Sequence, residues 1–404
     1  MVKRQDQIEA QYNKHPYPEP ISNMDEYIKN GYAQGSCPKI IWHRLFPEKK
    51  YCDDLNILIA GCGTNQAIYH ALKHPKSEHY AIDVSEASLS HVSKMIKKYN
   101  IQNLTIDKKD ILELKEKNKF DYVISTGVIH HTKNPQASLN RLVEITKNDG
   151  ALFIMVYASY LRMGIYLLQD AFKYLNLKSN TKDINLAQRL IELLPKSHYV
   201  HNYLDEITDT NLTGTKDLSF DAGIVDTFFN ARDVAYNINE LKYLINSSGA
   251  YFQNWYNNSF FYRPLFNFKE NDDIDIAYKN LNNWDLSDFT QKMHPNSGKF
   301  QFTLRKKKIF ENRFFKIKEL THSLVVRKMP ERGPEIKPVE IITGVSKNKE
   351  EIILMNLDNT IENIYEKSNK LISKKYPSEK LSFKDLQRVI HTYWKVGYIT
   401  LSDY

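Results

Sequence analysis

Cysteine is nearly absent from this chain: Cys37, Cys52 and Cys62 are the only three in 404 residues, with no Cys-x-x-Cys pair and no histidine at ligand spacing beside them. So odd and dispersed a set excludes a disulfide-stapled scaffold and a cysteine zinc site, and no metal is expected. Long apolar runs are as scarce. The one candidate, residues 151–168, carries Arg162 and follows the turn Asn148-Asp149-Gly150, so it reads as a buried strand leading into a helix and not as a membrane span. Behind Lys3 and Arg4 there is no apolar stretch of the kind a secretory leader needs, which makes the cytoplasm the expected compartment. Internal repeats are missing, and Gly and Pro, 14 each, are too few for a collagen-like or low-complexity chain.

What is present is 42% hydrophobic and 26% charged residues, the composition of a folded protein. At roughly 100–200 residues per domain the length predicts two or three domains. The net charge of +8 is unevenly spread: residues 301–338 hold 11 Lys or Arg against 4 Asp or Glu, a local excess of +7. Such a segment offers phosphate contacts, but Phe302, Leu304, Ile309, Phe314, Phe315, Ile317 and Leu320 are interleaved with the charges, which favours an edge strand or helix with a solvated face.

After a helical start and the extended segment His15-Pro16-Tyr17-Pro18-Glu19-Pro20, strands and helices alternate from residue 55. Strands are predicted at 55–60, 80–83, 104–107, 120–125 and 151–157. Helices are predicted at 64–73, at 85–99 and from Pro135 to Lys147, the last with Asn134 as its cap. Short buried strands alternating with helices imply a parallel sheet covered on both faces, a doubly wound α/β fold. Residues 180–235 read as a polar helical insertion, followed by a helix at 239–247 and strands at 251–256 and 299–305. Pro330, Gly333, Pro334 and Pro338 mark a linker. Beyond it lie helices at 357–374 and from Ser382, the latter with Phe383, Leu386, Ile390 and Tyr393 on one face, and a strand at 398–401. The expected division is a cap at 1–50, a main domain at 51–309, and a basic linker with a small α+β, winged-helix-like domain at 310–404.

The turn after the first strand is Ala60-Gly61-Cys62-Gly63-Thr64-Asn65, where two glycines let the backbone bend sharply and let a ligand come close. Twenty residues after Gly63, at the end of the second strand, Asp83 can accept from both hydroxyls of a ribose, and Asp110 stands just past the third strand. A dinucleotide fingerprint would need glycine where Gln66 stands, so the pattern fits S-adenosylmethionine, which carries no phosphate, better than NAD.

These residues, with Ala81-Ile82-Asp83-Val84-Ser85, Asp110-Ile111-Leu112, and Phe120-Asp121 through Thr126-Gly127-Val128-Ile129-His130-His131 to Asn134-Pro135, resemble the class I S-adenosylmethionine-dependent methyltransferases in order and spacing. The likeness is strongest over residues 55–160. Residues 12–18 and 226–233 resemble a bacterial subgroup joined in other chains to tetratricopeptide repeats. Two positions depart from the family pattern: Ile59, often acidic, and Asn65, often a third glycine. The resemblance implies a Rossmann-like methyltransferase sheet, with S-adenosylmethionine held by Gly61, Cys62, Gly63, Asn65, Asp83, Val84, Asp110, Ile111, Thr126 and Gly127 and leaving as S-adenosylhomocysteine.

Methyl transfer from a sulfonium needs alignment, exclusion of water and, for some acceptors, a base. His131 and His130, on the rim after the fourth strand, are the candidate bases. Two adjacent side chains point apart, so they make no metal site. Asp226, Arg232, Asp233 and Tyr236, with Tyr17 of the N-terminal segment, are the candidate substrate contacts; Tyr12, His15 and Tyr17 have the position of a lid. A small metabolite is the expected acceptor. An RNA modifier using residues 301–338 and a non-catalytic cofactor-binding scaffold are the alternatives.

Overall fold

The computed structural model describes residues 6–29, 35–209, 219–262, 273–307, 320, 323–328, 343–395 and 397–403. Seven strands form one sheet: β1 (Asn56–Ala60), β2 (Glu78–Asp83), β3 (Leu104–Lys108), β4 (Phe120–Thr126), β5 (Thr146–Tyr157), β6 (Tyr251–Trp255) and β7 (Lys299–Arg305). Their order is β3-β2-β1-β4-β5-β7-β6. β1 to β5 are parallel, and β7 runs antiparallel to both of its neighbours. This is the doubly wound α/β sheet that the alternation implied and the Rossmann-like form that the resemblance implied, with β7 as a departure from an all-parallel sheet. β1 is apolar after Asn56 because both faces are covered: Leu58 and Ala60 enter one core cluster while Ile57 and Ile59 enter the other. The strand order reverses between β1 and β4, and a crevice opens there at the carboxyl ends of the strands.

Local signals set most element ends. Ser85 caps the helix Glu86–Tyr99 through Ser88 N, and left-handed Asn100 ends it. Asn134 caps the helix Pro135–Ile145 through Ala137 N, as predicted. That helix stops two residues short of the expected Lys147, and β5 begins at Thr146 instead of 151. The cause is tertiary: Lys306 Nζ takes the carbonyls of Glu144 and Thr146, both at 3.1 Å, and the side chain of Asn118 at 2.6 Å. At Gly150 a Cβ would lie 2.8 Å from Thr146 Cγ2, so only glycine lets this stretch fold against the start of β4.

The insertion after β5 is less polar than expected. Helices Met163–Tyr174, Thr181–Glu192, Val200–Asp209 and Asp221–Phe228 bury their own cluster, including Ile165, Phe172, Ile184, Ile191 and Phe228. Gly164 permits a backbone crossing that any Cβ would block, at 2.2 Å from Val200 N. The helix Ile238–Asn246 then returns to the sheet, entered through an Asn237/Glu240 capping box.

Among the described residues of the C-terminal part, β8 (Val325–Lys328), β9 (Asn359–Thr360) and β10 (Ile399–Ser402) pair in the order β10-β8-β9. The helix expected from 357 starts at Ile361, where Thr360 supplies the cap, and the helix Lys347–Met355 has no counterpart in the sequence reading. The expected face of the helix Phe383–Lys395 is buried at Leu386 and Ile390. This unit shares the apolar cluster of the main sheet: Trp394 stacks on Tyr262 with ring centroids 5.8 Å apart, and Asp403 N donates to Pro47 O. Most of the basic segment 301–338 lies outside the described residues. Of its described cations, Arg305 is buried against Glu48 at 2.9 Å and Lys306 holds the helix end, so both are committed to the fold, while Lys307 is exposed.

Candidate active site

The carboxyl ends of β1, β2 and β4 open into a cavity of about 1090 Å³, room for a nucleoside-sized cofactor beside an acceptor. At one end stands the glycine turn. Gly61 and Cys62 donate to Ile82 O, and both glycines have positive φ, 76° and 53°. A Cβ on Gly61 would strike Val128 at 2.2 Å, so the close approach of β4's loop requires glycine. Asp83 binds the turn: its Oδ2 accepts from Gly63 N at 2.8 Å and its Oδ1 from Ser85 N at 2.8 Å. Burial raises this carboxyl above the usual range, opposed by the backbone donors. Each oxygen keeps a lone pair for a ligand hydroxyl.

Val84, Asp110, Ile111, Thr126 and Gly127 also line the cavity. Asp110 caps the short turn Ile111–Glu113 through Leu112 N at 2.9 Å, and Thr126 Oγ1 bonds Gln66 at 3.0 Å. The Cys62 thiol, pushed up by burial and by Asp83, stays protonated. The nearby cations are neutralised, Lys108 by Glu9 and Glu86 and Lys109 by Asp107. A pyrophosphate finds no free cation among them, while carboxylates suit hydroxyls and a sulfonium, so the residues present fit S-adenosylmethionine.

Asn65 stands apart from the other cofactor candidates. Its side chain accepts from Ile21 N at 2.9 Å and donates to Glu19 O at 2.8 Å, and Thr64 Oγ1 donates to Pro18 O at 2.6 Å. The third glycine of the family pattern is replaced by a clasp for the N-terminal segment. That segment crosses the cavity. Tyr17 lines it and stacks on Phe220 of the insertion, with centroids 6.5 Å apart, and Tyr12 reaches its far end. His15 bonds Ser179 O at 3.2 Å instead.

The far end is built around Asp226, whose side chain receives Tyr12 Oη at 2.7 Å on Oδ1 and Tyr157 Oη at 2.9 Å on Oδ2. Burial and this carboxylate push both phenols up, so both stay protonated. His131 lines the same end. Its Nδ1 is 2.6 Å from Arg232 O, and a carbonyl only accepts, so Nδ1 carries a proton and, in the neutral ring, Nε2 holds the lone pair. Arg232 also donates from Nη1 to His131 O at 3.0 Å and pairs with Asp6 at 3.3 Å.

Three sequence candidates do not line this cavity. His130 is fully buried, with both ring nitrogens unpartnered among the described atoms, and burial pulls its pKa well below the usual value. Asp233 turns away to pair with Arg162 at 2.9 Å. Tyr236 belongs to the ladder, its N–H donating to Tyr157 O. Conversely, Tyr157 of the carboxylate cluster lines the cavity without having been named in the sequence, and Tyr12, named for a lid, bonds Asp226 at its far end. The last residue of β5 has no motif around it, and Tyr12 lies 214 residues from its partner. Among the described residues no group of three or more His, Cys, Asp or Glu is placed to hold a metal ion, and no helix is long and apolar enough to cross a membrane.

Residues 52–207 match the family model described as a methyltransferase domain. The chain is 23% identical over 339 residues to an uncharacterized protein of Synechococcus sp., covering 79% of this chain and 76% of that one. It is 23% identical over 201 residues to malonyl-[acyl-carrier protein] O-methyltransferase of Bacillus cereus, covering 49% and 69%. The structure of PKMT2 from Rickettsia typhi in complex with AdoHcy aligns with a TM-score of 0.63 at 14% identity, covering 96% of this chain and 77% of that chain, a likeness of fold.

Proposed function

We propose that this chain, whose residues 52–207 form a class I S-adenosylmethionine-dependent methyltransferase domain, moves a methyl group to nitrogen, oxygen or sulfur of a small acceptor enclosed under the N-terminal segment. One observation carries the reading: the Asp83 and glycine-turn cradle and the His131, Tyr157 and Asp226 cluster line a single cavity. When bound, S-adenosylmethionine supplies an electrophilic methyl whose carbon–sulfur bond breaks with its electron pair leaving on sulfur. The chain's own residues do the rest. Asp83 holds the ribose hydroxyls, with Val84, Asp110 and Ile111 beside the adenosine. Gly61, Cys62, Gly63, Thr126 and Gly127 pass along the methionine end. His131 Nε2 receives the acceptor's proton, while the segment carrying Tyr12 and Tyr17 excludes water. Arg232 holds His131 through two backbone contacts.

Arg305 and Lys306 are engaged inside the fold and leave, among residues 301–307, only the exposed Lys307 for an RNA acceptor, so the small acceptor is preferred. The test is to incubate the protein with labelled S-adenosylmethionine and fractionated cell extract. Label is expected in the small-molecule fraction; label confined to RNA or protein would overturn the choice of acceptor, and no label at all would overturn the enzyme.

A further inference from the structure

We propose that the acceptor is an aliphatic amine, captured as its ammonium ion by the lone pairs that surround Asp226. The inference rests on the methyltransferase reading and names its substrate class. It follows from where the protons at the far end of the cavity already point. Tyr12 and Tyr157 both direct their hydroxyl hydrogens onto Asp226, at 2.7 and 2.9 Å. Asn230 Nδ2 adds two long contacts to the same group, 3.3 Å to Asp226 Oδ1 and 3.4 Å to Tyr12 Oη. His131 has its one ring hydrogen on Arg232 O, and its Nε2, buried, meets no partner among the described atoms.

This end therefore gathers the oxygens of two phenols about a carboxylate that is 4% exposed, with the buried and unpartnered Nε2 of His131 in the same cavity-lining group. Those groups accept hydrogen bonds. A carboxylate, carbonyl or thioether brings only lone pairs and would meet like with like; an alcohol or thiol brings one hydrogen. An ammonium brings three and a positive charge, and it matches the lone pairs of the cluster. Arg162 lies against the Tyr157 ring, but its charge is balanced by Asp233 at 2.9 Å. The cation to weigh against the proposal is Lys299, which lines the same cavity and stands opposite Tyr157 in the β5–β7 ladder.

An ammonium has no lone pair to attack with, so one proton must leave first. His131 Nε2 takes it, the neutral amine turns so that its freed lone pair faces the methyl carbon while its N–H groups bond the phenol oxygens, and the carbon–nitrogen bond forms as the carbon–sulfur bond breaks with its electron pair left on sulfur. The product is the N-methylated ammonium, and His131 returns its proton to water.

Calorimetric titration of the protein saturated with S-adenosylhomocysteine compares three matched probes: phenethylamine, phenethyl alcohol and 3-phenylpropionate. The amine is expected to bind at least about tenfold more tightly than the alcohol, and the carboxylate not at all, by the strength of charge-assisted hydrogen bonds. Asp226→Asn should lower amine affinity by about 10- to 150-fold and leave the alcohol unchanged. Should that variant melt early, Tyr12→Phe, which removes one phenol oxygen, is expected to give a smaller loss of the same selectivity. Binding of 3-phenylpropionate would assign the end to Lys299 and overturn the proposal; so would equal binding of amine and alcohol, no amine binding, or an Asp226→Asn variant that still prefers the amine. If S-adenosylhomocysteine itself gives no heat, the methyltransferase reading has failed instead.

Discussion

The guanidinium of Arg162 lies 3.6 Å from the centre of the Tyr157 ring, the phenol that donates to Asp226. Asp233 fixes it there at 2.9 Å, and the two side chains are 1% and 3% exposed. The pair thus sets the phenol's position from behind without touching the cavity. Asp233→Asn leaves a buried guanidinium without its counter-charge, and urea unfolding should show a loss of about 3–5 kcal/mol. Arg162→Met placed on top of it should recover much of that loss. A single variant within about 1 kcal/mol of the wild type would refute the arrangement.

Asp83→Ala removes the carboxylate that joins the glycine turn to the β2 end. Affinity for S-adenosylhomocysteine should fall by about 10- to 150-fold, the worth of a charge-assisted hydrogen bond. Calorimetry decides it, and an unchanged affinity would place the ribose elsewhere.

The two neighbouring histidines should separate cleanly. His131→Phe is expected to slow single-turnover methyl transfer by roughly 100- to 10,000-fold with cofactor affinity kept. His130→Phe keeps the ring contact with Tyr157, at 4.0 Å between centroids, and removes two unpartnered nitrogens, so stability should hold or rise and turnover should change little. The assignment is wrong if His130→Phe is the slower of the two.

Asn65→Ala cuts the clasp on Ile21 and Glu19. Hydrogen exchange should quicken across residues 12–21 while exchange in β1 and β4 stays as it was, because the variant opens a surface segment and leaves the sheet intact. Uniform acceleration, or none, would count against a separately opening segment.

Stability should fall in mild acid. Burial holds His74 and His79 at about 4, and holds His70 and His130 well below the usual value, so these rings stay neutral in the fold while the unfolded chain protonates them below about 6.5. The unfolded state then binds more protons, and stability, complete above about pH 6.5, drops as pH falls toward 4, by up to about 1.4 kcal/mol per pH unit for each ring. Asp83, raised by burial, opposes the trend. Urea titrations at pH 7, 6, 5 and 4 measure it, and a flat profile would mean that the rings gain protons in the fold.

Half of the site was legible where chemistry is local. Asp83 stands a fixed interval after Gly63, so the cradle could be found by spacing, and Asn134 announced its helix by the proline after it. The acceptor end has no such spacing. Tyr12, Tyr157 and Asp226 come from the first helix, the last residue of β5 and an inserted helix, and none of the three is unusual among its sequence neighbours. Of the adjacent histidines, the backbone turn at Ile129–His131 put one on the cavity and sealed the other. Charge shows the same limit: it can be counted in a sequence, but Lys306 is consumed by carbonyls at a helix end that only the folded sheet brings to it.

The α/β alternation, the glycine turn with its carboxylate, and the helix caps follow from local order along the chain, because each depends on residues within about twenty positions and on backbone rules that hold in any context. Tertiary structure alone decided the end of the helix at Ile145, the clasp at Asn65, the core inside the insertion, and the cluster that gathers Tyr12, Tyr157, His131 and Asp226. Those features join segments far apart in the chain, where the hydrogen bond or buried contact exists only after the sheet has set the distance between its partners.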